Sequence, residues 1–213
     1  MGAVEQTAPL IAVARHRLTV DGQGVTTLVA FHGCTLHCRY CLNAQCLHPE
    51  GVWRIITPDD LLDEVTVDNL YFLATGGGIT FGGGEPAIRS EFIEAFCNMA
   101  PPEWHITIET ALNVDRRHLE RLLPYIHQYY IDIKDVNPDI YRRYTGQDNR
   151  RVLDNLRWLL NHDGMNDRVI VRLPHIPDYN SDKDIQHSRQ FLTALGVTHI
   201  DEFTYQRRNN QNF

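Results

Sequence analysis

Short apolar runs alternate along this chain with stretches whose apolar residues recur every three or four positions. The runs predict strands over 25–31, 78–81, 105–109, 129–133, 168–173 and 198–204. The intervening pattern predicts helices over 90–99, 115–123, 138–144, 149–162 and 182–195, and another that starts at 57–60. Thr57-Pro58-Asp59-Asp60 reads as that start: a capping hydroxyl, a proline in the first turn and carboxylates at the positive helix end. Ser90 precedes Glu91 and an apolar run, so it reads as a cap for 90–99. Over 149–162, Val152, Leu153, Leu156, Leu159 and Leu160 share one face and belong to a core.

Strands that alternate with helices imply an α/β fold with a parallel sheet and right-handed crossovers. Six βα units are too few for an eight-fold barrel, so a partial, open, TIM-like (β/α)6 barrel is expected. No linker or repeat interrupts 1–213. One domain is expected, with 1–20 as an N-terminal extension or first strand and 205–213 as a short tail. Ligands of such sheets sit at the carboxyl ends of the strands. The chemically notable residues fall there: a cysteine cluster after the first strand, a glycine run after the second, Glu109-Thr110 after the third, Asp132 and Lys134 after the fourth, and Arg172 on the fifth. Gly76-Gly77-Gly78 reads as a turn or flexible loop, and Asp21-Gly22-Gln23-Gly24 as a turn into the first strand.

Composition adds bounds. The 213 residues are 43% hydrophobic and 22% charged, an ordinary globular balance. No apolar run reaches the roughly 18 residues that span a bilayer, and the first residues lack the pattern of a secretory signal. A cytoplasmic location with reduced thiols is expected, without membrane association. The net charge of −7 argues against broad nucleic-acid binding. The arginine pairs at 116–117, 142–143, 150–151 and 207–208 read as solvated faces.

The strongest chemical signal is Cys34-x3-Cys38-x2-Cys41. Structural zinc sites take four ligands, and cubane iron–sulfur clusters usually take four cysteines. Three thiolates on a [4Fe–4S] cluster would leave one iron open to substrate or cofactor. A zinc knuckle completed by His37 or His48 is the alternative at this point. A disulfide framework fits poorly, because five cysteines is an odd count and 213 residues need no staples. Cys46 and Cys97 read as small buried hydrophobes. Gly82-Gly83-Gly84-Glu85 offers bare backbone and one carboxylate to a ligand. Glu109, Asp132 and Lys134 read either as a salt bridge or as a cradle for a zwitterion. Asp132 and Lys134, two apart on a strand, share a face.

These residues together resemble the radical S-adenosylmethionine (radical SAM) superfamily, and within it the glycyl-radical-enzyme activating enzymes of the pyruvate formate-lyase activase type. The resemblance runs through Asp21-Gly22-Gln23-Gly24, the cysteine motif, Gly82-Gly83-Gly84-Glu85-Pro86, Ile108-Glu109-Thr110, Ile131-Asp132-Ile133-Lys134 and Arg172-Leu173-Pro174-His175, and covers roughly 15–205. It implies one [4Fe–4S] cluster on Cys34, Cys38 and Cys41, with S-adenosylmethionine chelating the open iron. Tyr40 would lie near the adenine. Gly83, Gly84 and Glu85 would meet the methionyl ammonium. Asp132 and Lys134 would bind the ribose and methionine ends, with Arg172 beside them. Glu109, Thr110 and Asp132 would line a monovalent-cation site.

The implied reaction is reductive cleavage of S-adenosylmethionine, fed by a flavodoxin or ferredoxin under anaerobic conditions. The resulting 5′-deoxyadenosyl radical takes a hydrogen atom from a glycine of a partner glycyl radical enzyme. An anaerobic ribonucleotide reductase activase belongs to the same class. The alternatives are a small-molecule enzyme such as a carboxy-deazaguanine synthase, and a zinc-binding interaction module. The sequence departs from the family pattern in four ways. About forty residues separate Cys41 from Gly82 without a cysteine-rich insert. Gln23 stands where the family has proline. Phe203-Thr204-Tyr205-Gln206 replaces a Leu-Pro-Tyr-His element, which puts Gln206 at the position of a cofactor-contacting histidine. The chain ends at Phe213, where the resemblance leads to expect a further helix.

Overall fold

A computed structural model describes residues 6–19 and 21–205. Eight strands form one sheet: β1 (Ala8–Leu18), β2 (Val25–Phe31), β3 (Arg54–Ile56), β4 (Gly78–Gly83), β5 (His105–Thr110), β6 (Gln128–Asp132), β7 (Val169–His175) and β8 (His199–Thr204). Their order is β3-β1-β2-β4-β5-β6-β7-β8, so the sheet is open, with β3 and β8 at its edges. The helices are α1 (Pro58–Thr66), α2 (Asn69–Thr75), α3 (Ser90–Met99), α4 (Arg116–Leu122), α5 (Pro138–Thr145), α6 (Arg150–Leu160), α7 (Met165–Arg168) and α8 (Asp182–Ala194). No helix among the described residues is long and apolar enough to cross a membrane. The six expected strands are present, and the expected α/β architecture holds.

Two strands lie outside the parallel pattern. β1 pairs antiparallel with both β2 and β3. Only residues 19–24 join β1 to β2, too short a link for the crossover that a parallel pair needs. β3 has three residues, too few to show a period. β2–β4, β4–β5 and β7–β8 are parallel.

The chain divides into two compact units. Among the described residues, the first holds 6–19, 21–35, 45–110 and 114–130. Its core includes Phe31, stacked on Phe81 at 5.8 Å and edge-on to Phe92 at 5.5 Å. The second holds 36–44, 111–113 and 131–205. There α6 buries Val152, Leu153, Leu156 and Leu159 as its stripe requires, while Leu160 at the helix end is half-buried. Asn155 on the same face is also buried and donates to the Leu112 carbonyl at 2.9 Å, which satisfies a polar group in the core.

Local signals hold in part. Thr57 caps α1 by accepting from the Asp60 amide, with Pro58 in the first turn. Ser90 does not cap α3. A 3-10 turn over Pro86–Arg89 leads into the helix, so Ser90 is already helical, and its hydroxyl bonds His118 Nδ1 at 2.8 Å. Gly76 ends α2 in the left-handed region (φ +66), so the Gly76-Gly77-Gly78 run is a helix cap leading into β4.

The Asp21–Gly24 segment forms a tight turn of the first unit. Asp21 pairs with Arg17, and its carbonyl accepts from the buried Thr80 hydroxyl at 2.6 Å. Gly24 sits at φ +66, and a Cβ there would lie 2.5 Å from the Thr75 carbonyl oxygen. We expect Gly24→Ala to lower stability by at least about 2 kcal/mol in urea unfolding. Gln23→Ala, on the exposed position beside it, should change stability by less than about 0.5 kcal/mol.

Candidate functional site

In the first unit, β2 delivers the chain to Cys34 through a loop whose amides are tied down. His32 donates to the Pro9 carbonyl and Gly33 to the Cys46 carbonyl, each at 2.9 Å. The end of β4 packs against this loop. Gly84 donates to the Phe31 carbonyl at 2.9 Å and Glu85 to the Gly33 carbonyl at 2.8 Å. The approach leaves no room for side chains. A Cβ on Gly83 (φ +99) would lie 2.7 Å from the Phe31 amide nitrogen, and one on Gly84 2.1 Å from the Gly33 carbonyl oxygen. The glycine run is therefore required by close backbone contact.

Glu85 is buried, and its Oε1 accepts from Thr110 Oγ1 at 2.6 Å and from the Ala87 amide at 3.2 Å. The Glu109 carboxylate lies over Gly82, with Oε2 at 2.8 Å from where a Cβ would stand. Glu85, Glu109 and Thr110 thus gather at the ends of β4 and β5. Cys46 is buried in this unit. Cys97 on α3 is only half-buried, not buried as expected, and desolvation pushes its thiol up to about 12.

In the second unit, Cys38 and Cys41 sit half-buried on a loop closed by the Cys41 amide donating to the Cys38 carbonyl at 3.2 Å. The loop is anchored to α5, where His37 donates to the Thr145 carbonyl at 2.9 Å and Arg39 to the Tyr144 carbonyl at 3.1 Å. β6 ends at Asp132, and Lys134 lies two residues beyond it rather than on the strand, so their ion pair and not strand alternation brings the two together. Lys134 Nζ donates to Asp132 Oδ2 at 2.9 Å, and Arg172 Nε from β7 donates to Asp132 Oδ1 at 2.6 Å. The ion pair anticipated from the sequence exists, with Arg172 as its third member.

Burial works against both charges of the pair. Burial raises the Asp132 carboxyl, but Lys134 and Arg172 outweigh it and hold the group down at about 2. Burial lowers Lys134, but Asp132 and then the Cys38 thiol outweigh it, so its ammonium is held above its ordinary range. The Lys134 ammonium therefore lies within electrostatic reach of Cys38.

The second unit also assembles an aromatic cluster that the sequence did not announce. Tyr40 meets Tyr179 at 5.6 Å, Tyr144 at 6.0 Å and Tyr205 at 6.5 Å between ring centroids. The Tyr40 hydroxyl donates to Asp178 at 3.2 Å. Burial pushes the Tyr205 phenol up, Lys134 opposes this, and the Cys41 and Cys38 thiols add to the rise. Tyr205 therefore lies in the field of Lys134 and both thiols. Tyr144, Tyr179 and Tyr205 come from α5, the loop after β7 and the end of β8, so no spacing in the sequence links them. Gln206 lies outside the described residues.

The donor set suits a thiolate-bound group. Cys38 and Cys41 form no disulfide and place soft sulfur donors in partly exposed positions, and Lys134 offsets the negative charge that thiolate ligation brings. Among the described residues, no three His, Cys, Asp or Glu side chains gather as a site for a single metal ion.

Known proteins match this chain in sequence and in fold. The family model of the radical SAM superfamily matches residues 28–192. The pyruvate formate-lyase-activating enzyme of Staphylococcus aureus strain USA300 is 32% identical over 173 residues, which cover 78% of this chain and 68% of that enzyme. Streptococcus suis SuiB bound to S-adenosylmethionine superposes with a TM-score of 0.64 at 14% identity, over 86% of this chain and 43% of SuiB. The chain thus spans less than half of SuiB, and this likeness is one of fold.

The linkage of Asp132 sets a pH dependence. Its folded value of about 2 lies below the ordinary 3.8, so its contribution is fully present above 3.8 and is lost as pH falls toward 2. That contribution is about 2 kcal/mol. Asp132→Asn should flatten this part of the acid-unfolding curve, followed by circular dichroism between pH 5 and pH 2. An unchanged slope would remove Asp132 from the ion pair.

Proposed function

Because the chain belongs to the radical SAM superfamily, we propose that it is an activase that installs a glycyl radical in a partner enzyme. The observation that carries this reading is the 32% identity to a pyruvate formate-lyase-activating enzyme over 78% of the chain. Members of this superfamily carry a [4Fe–4S] cluster and S-adenosylmethionine. When bound, these supply one-electron cleavage to methionine and a 5′-deoxyadenosyl radical, which takes a hydrogen atom from the glycine of the partner. The zinc-module alternative falls with the family assignment.

We assign Cys34, Cys38 and Cys41 as the cluster ligands. Partly exposed cysteines outside any disulfide at all three positions support this. Lys134 keeps its proton, so it presents a fixed cation to the methionine carboxylate. Asp132, held ionised by Lys134 and Arg172, accepts from ribose hydroxyls. Glu85, fixed by Thr110 and Ala87, orients the Gly83-Gly84 backbone toward the methionyl ammonium. Tyr40 offers its ring to the adenine. Glu109 and Thr110, with Asp132, supply the oxygen ligands of a monovalent cation. All of this belongs to a single catalytic domain spanning 1–213, which works in the cytoplasm and takes its electron from a flavodoxin or ferredoxin.

Anaerobic reconstitution should load about four irons per chain. The reduced protein should then convert S-adenosylmethionine to 5′-deoxyadenosine, read by chromatography, and raise a glycyl-radical signal in pyruvate formate-lyase by electron paramagnetic resonance. Cys38→Ala should abolish 5′-deoxyadenosine formation, and intact turnover in that variant would remove Cys38 from the cluster. Tightly bound zinc in place of iron would overturn the whole reading. Lys134→Ala should weaken S-adenosylmethionine binding roughly tenfold or more, the scale of one charge-assisted contact. Unchanged affinity would take Lys134 out of the site.

A further inference from the structure

β8 ends the strand order, so no strand lies on its outer edge among the described residues. It is six residues long, carries no proline and no lysine, and is exposed at every position but the half-buried Ile200. Sheet edges of this kind are usually shortened, covered or charged, because their free main-chain groups pair with other chains. Here the only acidic residues are Asp201 and Glu202, and Arg189 binds Glu202. Beside the strand lies a cavity of about 490 Å³, lined among others by His175, Gln186, Phe203 and Thr204.

The register shows which main-chain groups face outward. Tyr205 donates its amide to the His175 carbonyl of β7 at 2.9 Å, and in the parallel pairing Phe203 stands opposite Pro174. A residue in a parallel strand points its N–H and C=O to the same side, and neighbours alternate. Asp201, Phe203 and Tyr205 therefore face β7, whereas Ile200, Glu202 and Thr204 turn their amides and carbonyls to the outer edge. The strand then runs into Tyr205, whose ring stands 6.5 Å from that of Tyr40, the residue before Cys41.

From this we propose that the outer edge of β8 receives an extended segment of the protein substrate as an added strand. The proposal rests on the activase reading and names how that substrate is held. An added strand would lie about 4.8 Å from β8. Running along β8, it would be carried toward Tyr205 and the adjoining thiols. Recognition through main-chain hydrogen bonds suits a glycine-bearing segment, because glycine offers backbone and no side chain to grip. It also presents that segment extended, with its Cα atoms accessible.

Proline separates this role from a structural one. Ile200→Pro and Thr204→Pro each delete one outward amide and leave the β7 ladder intact, and proline is tolerated at such edge positions. In the reconstituted holoenzyme, both variants should make 5′-deoxyadenosine from S-adenosylmethionine within about twofold of wild type when no partner is present. Both should bind pyruvate formate-lyase roughly tenfold more weakly by calorimetry, the worth of one main-chain hydrogen bond. At sub-saturating partner they should lose a matching share of glycyl-radical yield, while Thr204→Ser retains both. Unchanged partner affinity in two folded proline variants would overturn the docking. So would equal losses of partner activation and partner-free 5′-deoxyadenosine. A wild-type enzyme that makes 5′-deoxyadenosine but no radical in pyruvate formate-lyase would instead overturn the activase reading, and the docking with it.

Discussion

The end of β4 meets the end of β2 at a distance that only bare backbone permits. Phe31 and Gly33 take hydrogen bonds from Gly84 and Glu85, and a single methyl group on Gly83 or Gly84 would collide with main-chain atoms. Three consequences follow in the first unit. The loop leading to Cys34 gains a fixed floor. Glu85 is carried into the interior, where Thr110 and the Ala87 amide hold its carboxylate. The 3-10 turn that begins at Pro86 then feeds directly into α3, which is why Ser90 is released from capping and bonds His118 instead.

The second unit depends on charge where the first depends on contact. Lys134 is buried and Asp132 half-buried, at a desolvation cost that mutual pairing with Arg172 offsets, keeping both ionised. Breaking that set would leave a buried charge without a partner. Its value to the site is therefore less stability than charge: pairing with Asp132 holds the Lys134 ammonium above its ordinary range. The tyrosines around Tyr40 add an apolar wall with polar rims, suited to one face of a flat aromatic ligand.

Much of the architecture was legible because it rests on local rules. The strands at β2, β4 to β8 and the stripe of α6 follow from periodicity, which burial enforces residue by residue. What escaped has identifiable causes. β3 is shorter than any period, and the direction of β1 is decided by the length of the turn that follows it. Capping by Ser90 failed because the 3-10 turn before it makes Ser90 itself the first helical residue.

The cysteine spacing, the glycine run and the Asp132–Lys134 pair were set by the chain itself, since each needs only neighbours within a few residues. The sequence therefore determined what chemistry the site can hold. Tertiary structure decided who stands beside whom: Arg172 completing the ion pair from β7, Tyr144, Tyr179 and Tyr205 closing on Tyr40, and β8 placed at the edge of the sheet among the described residues. Those relations join residues far apart in the chain through packing, and packing leaves no trace in local spacing.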